Sequence, residues 1–200
     1  QASILDVTWD RFVIGLENGV KFIGRMLPPE TAADKMALML RGLYETLEIA
    51  VISSALGIVL SLPIGLLAAR NLMPAWLTWP MRLLIALCRS FHQVIIAILF
   101  VKAVGFGALA GILALTVASI GFIAKLFAEA IEEISLKQVE AIRATCAPFM
   151  SVIAYGVMPQ VLNRFVGFAT YQVDSNLRNS TMVGIVGAGG IGGTMFAAFQ

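Results

Sequence analysis

The chain has 200 residues, of which 59% are hydrophobic and 13% charged, and its mean hydropathy is +0.89. It is therefore far more apolar than a soluble domain of this length. A net charge of +2, without a basic run or an aromatic ladder, argues against nucleic acid as a partner.

The first element in the chain is a predicted amphipathic helix at residues 9–27. Hydrophobic side chains recur there at helical spacing, with charged residues among the other positions. Such a helix is typical of a segment that lies along the membrane surface rather than across it. Pro28 and Pro29 end the helix, so residues 1–29 are predicted to form an interfacial segment, followed by a polar link at residues 30–41.

Three membrane spans are predicted next. Residues 49–69 and 103–124 are uncharged stretches of 21 and 22 residues. At about 1.5 Å per residue, each covers roughly 30 Å, which is the thickness of the hydrocarbon core. The spans themselves are predicted at about residues 43–69, 81–104 and 108–130, and polar side chains at positions 89–93 interrupt the second. Spans of this length and composition predict an all-α, polytopic transmembrane helical bundle rather than a barrel.

A charged helical segment is predicted after the third span, at residues 125–143. Lys125, Glu129, Glu133 and Lys137 are each four residues apart, so a continuous helix would bring them together as ion pairs. We interpret Lys125 and Glu129 as a structural pair at the membrane boundary. The lysine and arginine residues of this segment and of the connector after the first span place both on the cytoplasmic side, although the bias is slight. The inside residues are Lys137, Arg143, Arg70 and Arg82, against Lys35, Arg41 and Lys102 outside.

Residues 160–183 are too polar to be predicted as a span from hydropathy alone. If they cross the membrane, their polar side must face protein or water, because a charge at mid-bilayer costs about 3 kcal/mol or more. Asp174 and Arg178 are four residues apart, which is consistent both with mutual neutralisation and with a place on a transport pathway. Asn176 is a pathway candidate together with them.

Arg89 and His92 are three residues apart and are predicted to share one face of the second span. If that face lines a water-filled path, the pair favours an anion; alternatively, His92 is a hydrogen-bonded residue inside the bundle. Because His92 is the only histidine, no metal site is predicted. No Ser/His/Asp constellation and no pair of catalytic carboxylates stands out, so we expect neither catalytic residues nor a cofactor in this chain.

The glycine-rich run at residues 184–193 reads GIVGAGGIGG. It contains the spacing of a dinucleotide-binding loop, but such a loop follows a strand and precedes a helix and an acidic residue. The membrane context instead favours a break in a helix or close backbone packing at a gate or subunit interface. Six glycines would cost a regular helix roughly 5 kcal/mol relative to alanine. Gly187, Gly189 and Gly190 are therefore candidate gate residues.

Residues 140–159, EAIRATCAPFMSVIAYGVMP, separate stretches that are oily enough to cross a bilayer. They resemble the cytoplasmic loop of bacterial ABC importer permeases, whose pattern is Glu-Ala-Ala, three residues, Gly, nine residues, then Ile-x-Leu-Pro. Three residues match this pattern and four depart from it, including a cysteine at the position of the glycine. The matching residues are Glu140, Ala141 and Pro159, and the departures are Ile142, Cys146, Gly156 and Met158.

Further pieces of the chain resemble the phosphonate-type branch of these permeases. They include GLYETLEIA at residues 42–50, GFIAKLFAEAIEEI at residues 121–134 and VGAGGIG at residues 186–192. Their order and spacing carry the resemblance over about residues 10–200. In that family further membrane helices usually lie beyond both ends of the region matched here, so we expect the natural protein to continue.

The resemblance implies a homodimeric type I importer permease in the bacterial inner membrane. Residues 41–200 would form the permease domain, with a cytoplasmic coupling loop at about residues 131–159. An ATPase dimer, which holds ATP and Mg, would dock on that loop, and a periplasmic or lipid-anchored binding protein would deliver the solute. The implied cargo is a small phosphorus oxyanion: phosphonate, with phosphite, hypophosphite and phosphate as alternatives.

The implied functional residues fall into two groups. Residues that would contact the ATPase are Glu140, Ala141, Arg143 and Cys146. Residues that would lie at the translocation path or gate are Asp174, Asn176, Arg178, Gly187, Gly189 and Gly190, with Arg89 and His92 as further candidates.

Two other functions are compatible with an oily helical bundle. An ion-coupled secondary transporter or channel would need no docking loop and would usually be longer, often with paired internal repeats, which the sequence does not show. An intramembrane enzyme acting on lipid phosphates would need a nucleophile or a metal cluster at a membrane boundary.

Overall fold

The regular structure of the chain is helical, which confirms the all-α prediction. The computed structural model describes residues 9–26 and 33–198, and it divides into two compact units, Gln1–Leu38 and Met39–Gln200. In the first unit, α1 (Trp9–Met26) exposes apolar side chains, and Lys21 Nζ lies 2.7 Å from Glu17 Oε1. Its surface location stays a prediction, and the two prolines predicted to end it lie outside the described residues.

The second unit, Met39–Gln200, holds most of the helices. In the described part of the chain these are α2 (Ala33–Ala68, which begins in the first unit), α3 (Ala75–Ser90), α4 (Gln93–Val104), α5 (Ala108–Glu132), α6 (Leu136–Ala144), α7 (Phe149–Val152), a π-helical turn (Ile153–Val157), α8 (Met158–Ile185) and α9 (Ile191–Ala198).

The predicted spans correspond to two straight helices and one broken pair. Both α2 and α5 are long and apolar enough to cross a membrane, whereas α3 and α4 meet at an angle of 91°. The polar link predicted at residues 30–41 is wrong from Ala33 onward, because α2 already begins there. Residues 33–41 contain neither glycine nor proline, so the sequence has no helix-breaking residue in the first turns of α2.

The continuous charged helix predicted at residues 125–143 is also wrong. Lys125 and Glu129 do form a pair at 3.5 Å, but α5 ends at Glu132. Glu133 pairs with Arg164 of α8 instead of with the lysine four residues later. An exposed i,i+4 pair contributes only about 0.2–0.5 kcal/mol, so contacts with α8 decide where this helix ends.

Helix α5 packs against α3, α4 and α8, and small residues bring α2 close to it. A Cβ atom placed on Gly57 would lie 2.4 Å from Ser119 Cβ, and one on Gly65 would lie 2.8 Å from a ring carbon of Phe127. Side chains larger than hydrogen would therefore push α2 away from α5. Small residues serve the same purpose in membrane bundles generally, because lipid supplies no hydrophobic drive between helices.

Four polar side chains join α2, α5 and α8 in what we call the polar clasp. Asn176 Nδ2 donates to Ser54 Oγ at 3.0 Å and to Ser119 Oγ at 2.8 Å. Gln172 Nε2 donates to Ser119 Oγ at 3.0 Å and to Asn176 Oδ1 at 2.9 Å. Asn176 is fully buried. The amides of α8 thus face protein, as the polarity of residues 160–183 requires of a helix in a membrane.

Replacing Asn176 with alanine is expected to lower the stability of the bundle. The variant leaves Ser54 without its amide partner and removes one of the two amide donors to Ser119, at a cost of about 1–2 kcal/mol. Thermal unfolding in detergent should therefore show a lower midpoint. Asn163→Ala, an exposed change on the same helix, serves as the control and should leave the midpoint unchanged. Equal midpoints for the two variants would rule out a structural role of the clasp.

Candidate functional site

Helix α6 is anchored to the bundle by one side of its surface. Val139 is 1% exposed and belongs to a core cluster with Val157 and Val161, against which Ile142 also packs. Gly156, in the π-helical turn, permits this approach, because a Cβ atom there would lie 3.3 Å from Ile142 Cδ1. A π-helical turn of this kind is rare and often occurs at functional positions.

The opposite side of α6 is exposed, and we call it the α6 outer face. It consists of Lys137, Glu140, Ala141 and Ala144, which are spaced three, four and seven positions from the first residue and therefore share one face. Arg143 flanks this face and is exposed as well. Two small alanines leave this face accessible beside a carboxylate and an ammonium group.

Cys146 follows α6 in a strained backbone conformation. Its φ of 56° is the only positive φ of a non-glycine residue in the described part of the chain. Its amide donates to Arg143 O at 3.0 Å and closes the last turn of the helix. A left-handed residue at this point explains why the family pattern has glycine here. It also shows that the turn forms although this chain carries a side chain there.

The break between α3 and α4 opens one wall of a cavity of about 470 Å³, which we call the α3–α4 cavity. The residues that line it come from α3, the bend, α4, α5 and α8. They are Cys88, Arg89, Phe91, His92, Gln93, Ala118, Phe122, Tyr171, Gln172, Ser175 and Asn179.

The cavity receives Arg89 and His92, although not in the predicted way. Arg89 lies in the last turn of α3, while His92 caps α4 beyond the 91° bend, so the shared helix face predicted for them is wrong. Phe91 between them is extended, with φ −108° and ψ 139°. The spacing of three indicated proximity, but the bend, rather than a helical turn, brings both side chains to the same cavity.

The other pathway candidates on α8 lie apart from this cavity. Arg178 pairs with Asp174 at 2.7 Å, and their side chains are 67% and 63% exposed. Asp174 lines a separate, mostly apolar cavity of about 530 Å³ on a different face of the helix. Asn176 belongs to the polar clasp. Among the described residues, no group of three or more His, Cys, Asp or Glu side chains is placed to hold a metal ion.

The glycine run connects α8 to α9 and follows a helix, which rules out the dinucleotide-binding alternative. Gly187, Gly189 and Gly190 have φ values of 89°, 83° and 84°, which residues with a side chain rarely adopt. The run therefore breaks the helix, as its composition predicts.

The run also packs closely against the rest of its own chain. Gly107 N donates to Gly187 O at 3.1 Å, and Ile191 N donates to Thr46 Oγ1 of α2 at 2.8 Å. A Cβ atom on Gly189 would lie 2.8 Å from Ala108 N. The predicted close backbone packing is thus found, and in this chain it joins the run to α2 and to the start of α5.

Sequence reasoning missed the polar wall that α8 contributes to the α3–α4 cavity. Tyr171, Ser175 and Asn179 are spaced by four, and this spacing already places them on one helix face. The sequence thus contains the signal for this face, which differs from the face that carries the charges at positions 174 and 178.

The fold defines the class of the protein. Two long apolar helices and a broken pair, with the polar side of α8 turned inward, make it a polytopic helical membrane protein. Residues 61–200 match the model of the family described as "Binding-protein-dependent transport system inner membrane component", and the chain belongs to this family. It is accordingly a multi-pass protein of the inner membrane.

The chain is similar to permeases for phosphorus compounds. It is 42% identical over 177 residues to the phosphate-import permease protein PhnE of Mycolicibacterium smegmatis, covering 88% of this chain but only 33% of that protein. It is 40% identical over 191 residues to the phosphite transport system permease protein PtxC of Stutzerimonas stutzeri, covering 95% of this chain and 68% of that protein. These relatives confirm the resemblance to the phosphonate-type branch.

A solved structure shares the fold. The MetNI methionine ABC transporter in an inward-facing conformation contains a chain with a TM-score of 0.71 and 31% identity. The match covers 80% of this chain and 79% of that one. The helical bundle is therefore that of an ABC importer permease.

Replacing Gly189 with alanine is expected to destabilise the junction of α8, α9 and α5. The new methyl group would meet Ala108 N and Glu45 Oε1 at 2.8 Å, and φ would stay positive, so we expect a loss of about 2 kcal/mol or more. The loss of stability is measured by thermal unfolding. Gly167→Ala, in α8 with open space around it, is the control and should be neutral or slightly stabilising. A tolerated change at Gly189 would contradict the packing described above.

Replacing Cys146 with glycine is expected to stabilise the turn after α6 by about 1 kcal/mol, because glycine adopts a positive φ without steric cost. Slower hydrogen exchange at the end of α6 would report this gain. Cys146→Ala removes the thiol but keeps Cβ, so it should give no gain. If alanine stabilised the turn as much as glycine does, the thiol rather than the backbone would be the source of strain.

Proposed function

We propose that this chain is the permease subunit of an ATP-driven importer, and that its α6 outer face docks on a separate ATPase subunit. The observation that carries the proposal is the two-sidedness of α6. Its inner side lies in the core through Val139, whereas Glu140 and Ala141 are exposed at its surface. A short helix that is fixed to the bundle and accessible from outside can pass the movement of a partner to the membrane part as a rigid body.

A second copy of the chain is the proposed partner within the membrane. Asp174 and Arg178 lie in the second half of α8 and are largely exposed. Exposed charges on a helix that crosses a membrane are costly against hydrocarbon. Contact with another copy, around a water-filled path, would remove this face from lipid. Asp174 and Arg178 would then lie at or near the translocation path.

The proposed cargo is a small phosphorus oxyanion that a binding protein delivers. Support comes from the relatives named for phosphate and phosphite transport, and from a family defined by its dependence on binding proteins. ATP and Mg would be held by the ATPase, so hydrolysis would take place outside this chain. Phosphonate, phosphite, hypophosphite and phosphate share a tetrahedral, anionic phosphorus centre.

Replacing Glu140 with alanine is expected to uncouple the ATPase while the membrane fold stays intact. Loss of one central charged contact should lower solute-stimulated ATP hydrolysis of the assembled complex about tenfold or more. Gln138→Ala, also on α6 and exposed but outside the α6 outer face, is the matched control and should retain activity. Unfolding midpoints of the two variants should equal that of the wild type.

Unchanged stimulation in the Glu140 variant would argue against docking at this face. Uptake by proteoliposomes identifies the cargo: methylphosphonate, phosphite and phosphate should compete with one another, and sulfate should not. Uptake that proceeds without any ATPase would favour the ion-coupled transporter or channel and overturn the importer.

A further inference from the structure

We propose that the α3–α4 cavity is a binding site for the tetrahedral phosphorus oxyanion within the permease itself. This inference rests on the importer function proposed above and assigns it a site in the membrane part. The cavity combines one cation with several neutral hydrogen-bond donors, and among the described residues that line it none carries a carboxylate. That combination selects an anion over a cation or a zwitterion.

The charge of Arg89 is the main attraction for an anion. Among the described residues, no carboxylate lies within ion-pair distance of Arg89. Its side chain crosses α5 at Gly121, where a Cβ atom would lie 2.8 Å from Arg89 Cγ. Glycine at this position thus makes room for the arm of the arginine. An arginine side chain offers five N–H donors in a planar fork that matches the oxygen atoms of a phosphorus oxyanion.

A neighbouring cleft of about 370 Å³ is basic as well, and Arg89 lines it together with Arg70, Arg82 and Lys125. Two of these four cations are paired, Arg82 with Glu132 at 2.5 Å and Lys125 with Glu129 at 3.5 Å. Glu129 also lines the cleft, so a carboxylate would face an anion there. The α3–α4 cavity differs because no carboxylate lines it and uncharged donors surround the arginine.

His92 adds a directed donor. Its Nδ1 accepts a hydrogen bond from Val94 N at 3.4 Å, so Nε2 is the ring nitrogen that can donate to a ligand. His92 also caps α4, a 12-residue helix whose positive end begins at Gln93 on the cavity wall. A helix N-terminus stabilises a nearby anion by a further modest amount.

Helix α8 supplies hydroxyl and amide donors from the opposite wall. Ser175 Oγ accepts from Asn179 Nδ2 at 3.1 Å. Thr170 and Ser180 of the same helix donate to carbonyls of their own helix at 2.9 and 2.8 Å, whereas no such acceptor is found for the Ser175 hydroxyl in the described part of the chain. The proton of Ser175 and the second amide hydrogen of Asn179 are therefore free for an oxyanion.

The α8 wall of the cavity is held in place by the polar clasp, and the size of the cavity allows a bound anion to leave. Gln172 lines the cavity and at the same time belongs to the polar clasp, so the wall is tied to Ser119 of α5. A cavity of about 470 Å³ exceeds what a small oxyanion fills, so water will share it. Transport requires a site that binds weakly enough to release its ion, and a hydrated site meets this requirement. Broken membrane helices provide anion sites of this kind in other transporters.

Direct binding measurements test the site without the binding protein. The permease–ATPase complex in nanodiscs is titrated with phosphite, and ³¹P line broadening is followed. The wild type should show saturable broadening. Arg89→Gln should weaken binding about tenfold, the loss expected for one charge-assisted hydrogen bond. Arg70→Gln removes the same charge from the neighbouring cleft and should bind like the wild type.

A second variant keeps the test informative if Arg89→Gln does not assemble. Ser175→Ala should weaken phosphite binding about threefold, because it removes one neutral donor. Absence of saturable broadening in the wild type would overturn the site, as would equal binding by wild type, Arg89→Gln and Ser175→Ala.

Uptake of phosphite by proteoliposomes, measured in parallel, separates the proposed anion site from the proposed importer function. Normal ATP-driven uptake without binding at this cavity refutes the site alone. Binding that depends on Arg89 but is not followed by ATP-driven uptake refutes the importer alone.

Discussion

The hydrogen bonds of Asn176 are the contact on which the architecture of the second unit depends. A helix as polar as α8 is admissible in a membrane only if its amides are satisfied by protein. Ser54 of α2 and Ser119 of α5 satisfy them, which fixes the rotation of α8 about its own axis. Once that rotation is fixed, Ser175 and Asn179 must face the α3–α4 cavity and Asp174 must face elsewhere.

The membrane-spanning part of the fold could be predicted from the sequence because length and hydropathy decide it. Residues 49–69 lie within α2 except for the last, and most of residues 103–124 lie within α5. The 91° bend could not be predicted, since polar residues at 89–93 mark an interruption without giving its geometry. The extended backbone of Phe91 produces the bend, and the helices on both sides of it pack against α5.

The i,i+4 spacing of charges predicts ion pairs poorly where a charged side chain of another helix competes for the same residue. Glu133 and Lys137 have the spacing and order of a helical ion pair, yet Glu133 contacts Arg164, 31 residues away. Ser135 N likewise donates to Gln160 Oε1 of α8 at 3.0 Å. The family pattern predicts the local backbone better, because its glycine falls at position 146, where φ is positive. A glycine in a family pattern indicates backbone conformation, which the charge of a single side chain does not.

Helix α8 joins the proposed docking surface to the proposed anion site. Gln160, in its first turn, accepts from Ser135 N just before α6, and the preceding turn holds Gly156 against α6. Ser175 lies 15 residues further along the same helix, about 23 Å away at 1.5 Å per residue. A displacement of α6 by an ATPase would therefore reach the cavity wall through one continuous helix.

The polar clasp, at Gln172 and Asn176, would be the pivot, because its hydrogen bonds hold α8 to α2 and α5. Since Arg89 and His92 belong to α3 and to the start of α4 rather than to α8, a rotation about this pivot would change their distance from Ser175. The anion would then be bound in one arrangement of the cavity and released in the other.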